Sequence, residues 1–598
     1  MARAEFRQTC RALLSSIALL ILLVAPVAAA DGEGDGAETA QASEPSTAQT
    51  AGLVPGASDK EKAELVANPS VWATLSAQWE YPTRELSRPA VPSSMLEPAR
   101  LTMREAVMTS LANNPRLLSQ SLTPLYAEQG ILGATAQFDP ILGADLNFGR
   151  LSEPSSSLLQ GADVLQQNYG NWDFSLRKML RSGAQVEAAF TNNRFKTDNF
   201  FFDLNPTLTP ESWIRISQPL LRDFGLYFST LRIRLAETST EAAIETYRAN
   251  VANFITLVIR AYWEVVYAAQ SLEVLQGSYE LALKTVRDNQ TRVEVGVLPP
   301  VAIKESQAEA ARRNEEVIVA ANALDHAKRN LQNLVYLPGQ SEYFPRRVDP
   351  IEAPSHSRID LPELETAIDR AIENRPEIRA AQLAVRTGDL NVSLNKNQLL
   401  PRVDVYGMGG VNGLGGVVRP GDNPFNGQPY NDEFAGSYKE SLNRMVDGRY
   451  YSYTGGVRIE VPIGNAGAES AFRQARIERE RMAALYRQQV SDVALDVSQT
   501  LGDVRSDRER MSATRVAREL SEENLKNQMK RYDVGMTTTT DLLRFQNDVA
   551  AAKLAEIRSV IDYNNSLARF ERSQGALLDR FNVEIADRGE TDFPWWSF

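Results

Sequence analysis

YYSYTGGVRIEVPI, residues 450–463, alternates apolar and polar side chains along nearly its whole length. Tyr451, Tyr453, Val457, Ile459, Val461 and Ile463 fall on one side of an extended chain. Ser452, Thr454, Gly456, Arg458, Glu460 and Pro462 fall on the other. A period of two sets one face against something apolar and the other against water. ILGADLNFGR (141–150) repeats the pattern, with Leu142, Ala144, Leu146 and Phe148 opposed to Gly143, Asp145, Asn147 and Gly149. A shorter version sets Trp213, Ile214 and Ile216 against Arg215 and Ser217, and a weaker one covers 402–408.

A sheet over a soluble core is the ordinary source of such alternation. These strands instead come as isolated pairs, near 141–150 and 212–219 and near 402–411 and 450–463. Polar loops at 152–171 and 412–449 separate the members of each pair, and no neighbouring segment supplies a core. Lipid outside and a wet lumen inside fits better. Asp145, Asn147, Arg458 and Glu460 then face the lumen, a mixed set that implies a water-filled path without a sharp filter. About four strands per chain cannot close a barrel, since the smallest closed ones need about eight. An open edge in lipid leaves backbone groups unsatisfied, so the chain must oligomerise. Two more strand-like stretches, 172–180 and 185–191, are joined by Arg-Ser-Gly. They fit an extracellular hairpin, an insertion against the helices, or extra barrel strands; a hairpin outside the membrane count is the expectation.

The start of the chain reads as an export signal. Arg3, Arg7 and Arg11 precede an apolar run at 12–27, and Ala28, Ala29 and Ala30 offer a cleavage site, so 1–30 is expected to be removed. Cys10 would leave with it, and a chain whose one cysteine is removed has no disulfide or thiolate metal site. His326 and His356 read as surface residues, and no cofactor is expected. The formal charge of -12 falls to -14 once the net +2 of Arg3, Arg7, Arg11 and Glu5 is taken away. An acidic chain without a basic block argues against nucleic acid. No later apolar run reads as a membrane helix, which leaves strands as the membrane-inserting element.

Residues 31–70 read as a disordered acidic leader rich in Ala, Gly, Ser and Thr. Beyond it the chain is duplicated. LTMREAVMTSLANNPRLLSQ (101–120) corresponds to LPELETAIDRAIENRPEIRAAQ (361–382), with Ala106, Asn113 and Pro115 matching Ala367, Asn374 and Pro376. The first repeat is set at 71–345, the linker at 346–360, the second repeat at 361–581 and a C-terminal tail at 582–598. Each unit has a short helix ending at Asn-Asn-Pro or Asn-Arg-Pro, because proline disfavours helix at the residue before it. A second helix, a strand pair, a very long helix, a glycine break and a returning helix follow.

The long helices are expected over about 223–295 and 466–534, each roughly 105 Å long at ~1.5 Å per residue. Ile244, Tyr247, Val251, Phe254, Val258 and Tyr262 mark a coiled-coil-like seam, as do Val490, Val493, Val497, Leu501 and Val504. Leu324, Ala327, Leu331 and Leu334 continue it on a returning helix. A long helix with so narrow a stripe must pack in an array.

RVEVGVLPPV (292–301) and RYDVGMTTTTDLL (531–543) interrupt the two long helices at matching places. A glycine just past a helix end adopts the left-handed conformation that terminates it. Pro299 and Pro300 then start the next helix in one copy, and Thr537 or Thr538 in the other, with Thr538 and Asp541 at capping-box spacing. Both turns lie a long helix away from the strands.

The order LTMREAVMTSLANNP, a strand opening at proline, ISQPLLRDFG and RYDVGMTTTTDLL resembles the TolC-type outer-membrane efflux protein family, over about 101–581. The resemblance implies a mainly helical fold with membrane strands: a trimer with a 12-stranded β-barrel above a periplasmic α-barrel. It implies no enzyme but a channel of the bacterial outer membrane. Its expected partners are a periplasmic adaptor, an inner-membrane transporter and outer-membrane lipid. It carries adaptor docking onto Val295, Gly296, Val297 and Leu298, and onto Val534, Gly535, Met536 and Thr537. It places a periplasmic constriction at Tyr532 and Asp541. Arg544 and Thr537 stand where the family has an acidic residue and an arginine, so the collar is mixed in charge. WWSF at the C-terminus ends in phenylalanine far from any strand, and coincidence accounts for it. The exported cargo is open between small molecules and proteins, as in type I secretion. A periplasmic coiled-coil adaptor is the rival of another class, but it would need one hairpin rather than two.

Overall fold

A computed structural model describes residues 98–156, 162–337, 347–357, 359–424 and 426–585. The expected signal peptide, the acidic leader and the WWSF terminus lie outside these residues.

The chain opens with β1 (Ala99–Leu101), α1 (Met103–Asn113) and α2 (Pro115–Thr135). Thr102 caps α1 in a capping box with Glu105. Asn114 is extended at ψ 118°, as a residue before proline should be, and its side chain caps α2 by accepting from the Arg116 amide. β2 (Ile141–Pro154), β3 (Val164–Met179), β4 (Gln185–Thr197) and β5 (Leu204–Pro219) follow. One turn of helix, α3 (Gly225–Ser229), leads into α4 (Leu231–Glu294), whose 64 residues span about 96 Å. The chain reverses and returns as α5 (Val301–Val335), then forms the short β6 (Val348–Pro350).

The same order is then run again. α6 (Leu364–Asn374) and α7 (Pro376–Asn397) break at Arg375, extended at ψ 126°. β7 (Arg402–Asn412), β8 (Gly415–Val418), α8 (Tyr438–Val446) and β9 (Tyr451–Glu460) lead to α9 (Ala466–Asp533). α10 (Thr539–Ser573) and α11 (Leu577–Phe581) close the described chain.

α4 packs on both α2 and α5, and α9 on both α7 and α10. The Asn114 amide donates to the Leu334 carbonyl at 2.9 Å, so the end of α5 abuts the start of α2. Each repeat therefore supplies two helical columns: one unbroken, and one made of two shorter helices stacked end to end. The Asn-x-Pro breaks mark those joints. Seam residues fill the space between columns: Val258, Tyr262, Leu331, Val497 and Val504 are fully buried in two clusters. One window of α4 is as apolar as a membrane helix, which departs from the expectation that no such run follows the signal. It holds the buried stretch around Val258 and Trp263, so its apolarity fills the helical core. Beside it β1 and β6 pair in parallel, and the Tyr262 hydroxyl donates to the Leu101 carbonyl at 3.0 Å. The segment joining the repeats is thus strapped to the helices.

Among the described residues the membrane-type strands form one antiparallel sheet in the order β2-β3-β4-β5-β7-β9, with β8 beside β5. This corrects the expectation of about four strands per chain with 172–180 and 185–191 as a hairpin outside the count. Those stretches belong to β3 and β4, which insert between β2 and β5 and pair on both sides. Alternation reports which face a residue occupies and carries no information about which strand lies alongside. Polar residues such as Asn171, Asp173 and Asn193 also weakened the pattern there.

Candidate functional site at the helical tip

The end of the molecule farthest from the sheet is formed by two helical turns of the same construction. In the first, Gly296 has φ 76°, its amide donates to the Val293 carbonyl, and the Val297 amide reaches back to the Arg292 carbonyl at 2.8 Å. In the second, Gly535 has φ 73°, its amide donates to the Tyr532 carbonyl, and the Met536 amide reaches the Arg531 carbonyl at 2.8 Å. This double bond pattern is the Schellman termination of a helix. Thr538 then caps α10: its hydroxyl accepts from the Asp541 amide, and the Asp541 carboxylate accepts from the Thr538 hydroxyl at 2.7 Å. Those hydrogen bonds hold the Asp541 carboxyl below the usual aspartate range.

The turns present apolar side chains to solvent. Val295, Val297, Val534 and Met536 are each about two-thirds exposed or more. Gly296 and Gly535 are exposed with them, while Leu298 and Thr537 are half-buried. All eight docking residues read from the sequence therefore sit together at the tip. Four apolar side chains held out on capped turns form a surface suited to contact with another protein.

Asp541 and Arg544 are exposed, whereas Tyr532 is 4 % exposed, inside the pair of hairpins. The Tyr532 hydroxyl bonds Asn289 and Thr539, and the Arg292 guanidinium lies 4.6 Å over its ring. Arg292 also donates to the Tyr532 carbonyl at 3.0 Å and the Asp533 carboxylate at 3.1 Å. Tyr532 thus ties one hairpin to the other.

A second tie lies deeper. Arg313, 1 % exposed, donates to Glu309, to the Ser278 and Leu543 carbonyls and to Gln546, at 2.9 to 3.2 Å. Gln546 donates in turn to Thr285, and Asn547 to Glu309. Burial alone would raise the Glu309 pKa, but hydrogen bonds from Arg312, Asn547 and Arg313 bring it down to about 2. Sequence reading missed Asn289, Glu309 and Arg313, since polar residues on a helix read as solvated until their partners are known. One signal was present: Gln546 matches Gln307 in the repeat. Only Gln546 is buried, and the place matching Arg313, seventeen residues past the glycine, holds Ala552.

At the other end, the predicted lumen residues share one face of the sheet. Asp145 lies opposite Asp173, Asn147 opposite Asn171, Arg458 opposite Asp404 and Glu460 opposite Arg402. The opposite face is apolar: the row Leu142, Leu176, Ala188, Ile214, Gly409 and Tyr453 crosses all six strands. His326 and His356 are exposed.

The sequence matches the family model described as "Outer membrane efflux protein" at residues 223–335 and 367–576. It is 23% identical over 441 residues to the outer membrane efflux protein BepC of Brucella suis, covering 72% of this chain and 84% of that one. It is 23% identical over 420 residues to the alkaline protease secretion protein AprF of Pseudomonas aeruginosa, covering 68% and 76%. The fold is similar to the crystal structure of the Campylobacter jejuni CmeC outer membrane channel, with a TM-score of 0.56, 14% identity, and 79% and 86% of the two chains covered.

Proposed function

The chain belongs to the outer membrane efflux protein family, and from that premise we propose that three copies assemble into one conduit, docked by a periplasmic adaptor at the helical tip. The protein is an outer-membrane channel of the kind used in tripartite efflux and type I secretion, with its helical part in the periplasm. Its family is one of channels rather than enzymes. In the assembly the sheets close a barrel in outer-membrane lipid and the helical columns close a tube beneath it. An inner-membrane transporter feeds that tube through the adaptor. Residues 1–30 are the export signal, and 71–345 and 361–581 are the two repeats that supply the helical columns.

The observation that carries this reading is the pair of exposed apolar turns at Val297 and Met536, about 96 Å along α4 from the sheet. Asp541 and Arg544 form the charged collar of the tube's inner mouth, and Tyr532 holds the hairpins that carry it. Asp145, Asn147, Arg458 and Glu460 line the barrel. The test is Val297→Asp combined with Met536→Asp. Heat-modifiable trimers should persist in detergent extracts while crosslinking to the adaptor and export are lost. Unchanged adaptor crosslinking would end the docking assignment, and a monomer in mild detergent would end the trimer.

A further inference from the structure

We propose that each chain contributes six strands to the barrel wall, so that three copies close a barrel of eighteen. The proposal rests on the trimer of the preceding section for the number eighteen; the six strands per chain rest on the sheet alone.

The pairing of β2 with β3 is chemically specific. A side chain at Gly149 would collide with the Tyr169 ring, and one at Gly170 would come within 2.9 Å of the Phe148 ring. Each glycine is thus covered by the aromatic residue of the neighbouring strand, a device that fixes register in sheets. On the polar face, Arg177 of β3, Glu187 of β4 and Arg215 of β5 stand in one row, with Glu187 between the two guanidinium groups at 3.7 and 3.8 Å. On the apolar face Phe174 and Phe190 oppose each other directly, and Ala144 and Ser212 extend their row. The inserted hairpin therefore carries the same two-sided pattern as its neighbours. An extracellular hairpin would have no reason to continue an apolar band.

Among the described long strands, β2 and β9 each pair on one side only. β2 is exposed on both faces for almost its whole length, and Tyr451, Tyr453, Val457 and Ile459 of β9 are exposed as well. A free edge in lipid leaves N–H and C=O groups without partners, and six strands are too few to close on themselves. The partner is a second copy of this chain. Six is even, so β2 and β9 run in opposite directions, and β9 of one copy meets β2 of the next in the antiparallel sense used throughout the sheet. The apolar faces then join into one outer band. Barrel diameter grows roughly linearly with strand number, so the wall is about 1.5 times as wide as one of twelve strands.

Cysteine pairs test this, because Cys10 is the chain's one native cysteine and lies in the export signal. Asn147→Cys is combined in turn with Asn171→Cys on β3, with single cysteines at Thr209, Glu211, Trp213 or Arg215 on β5, and with cysteines at Ser452 or Thr454 on β9. In full-length protein in outer membranes, the β3 pair should give a disulfide within the chain. A β9 pair should link chains into covalent trimers. A disulfide within the chain from position 147 to β5, with none to β3, would overturn the proposal. The native mass of the assembly is measured in parallel. A mass other than three chains with the same disulfides would sink the trimer and the number eighteen, while leaving six strands per chain established.

Discussion

The Tyr532 hydroxyl donates a hydrogen bond to Asn289 Oδ1, joining the end of one long helix to the end of the other. Both side chains are buried, so the bond is sheltered from water. Replacing Tyr532 by Phe leaves the Asn289 carbonyl oxygen and the Thr539 hydroxyl short of a partner, at a cost of about 1–3 kcal/mol. Amide hydrogen exchange at 285–305 and 525–545 should quicken while the sheet end is unchanged. Equal exchange in both proteins would show that the bond does not hold the tip.

Asp541 caps α10, and the collar role proposed for it can be separated from that. As a capping residue it needs an oxygen to accept from Thr538; as a collar residue it needs a charge. Asp541→Asn keeps an acceptor and removes the charge. In planar bilayers its channels should lose much of their cation preference, read as a shift of reversal potential toward zero in a salt gradient. An unchanged potential would remove Asp541 from the ion path. Arg544→Gln should shift the potential the opposite way, since a positive group in the collar partly cancels the carboxylate.

Glu309 makes the tip sensitive to acid in a defined window. Its carboxyl is held near 2 in the folded protein and titrates near 4.5 when free. A depressed pKa contributes stability that is full above about 4.5 and is lost as pH falls toward 2. The shift corresponds to at most about 3 kcal/mol. Wild-type tip protection, taken relative to the intrinsic amide exchange rate at each pH, should therefore fall between pH 4.5 and 2, and Glu309→Gln should flatten that fall. A variant with the same pH dependence as wild type would refute the assignment.

Arg313→Ala removes the charge that Glu309, Gln546 and two carbonyls share. Breaking a buried pair by deleting one partner costs roughly 3–5 kcal/mol. The melting temperature of the tip, followed by a fluorophore near Met536, should fall by several degrees, and Arg313→Lys should recover only part of it because the fork geometry is lost. Full recovery by lysine would show that charge alone matters there.

These ties explain what was and was not legible in the sequence. The glycine turns could be read in advance because left-handed backbone leaves a local signature, and Gly296 and Gly535 carry it. The Asn-x-Pro joints, the Thr538 cap and the seam at Val258 and Val497 were local or periodic in the same way. Strand faces were readable too, since the four residues expected at the lumen fall on one side of the sheet, except that Trp213 shares the face of Arg215 rather than that of Ile214 and Ile216. Strand neighbours were not, because β2 and β3 pair through contacts that alternation does not encode. Nor was Arg313: a buried arginine in one hairpin and an alanine at the matching place in the other break the symmetry that made the duplication visible.

The placement of β3 and β4 has a consequence for how such a wall changes size. A hairpin is the smallest piece that can be spliced between two adjacent antiparallel strands without reversing any other strand. β2 keeps its direction, β5 keeps its own, and the joints to α2 and α4 stay at the same end of the sheet. In the proposed assembly the barrel in the membrane can thereby widen without a change in the helical tube beneath it. One can be enlarged by successive insertions while the other keeps the gauge its attached machinery requires.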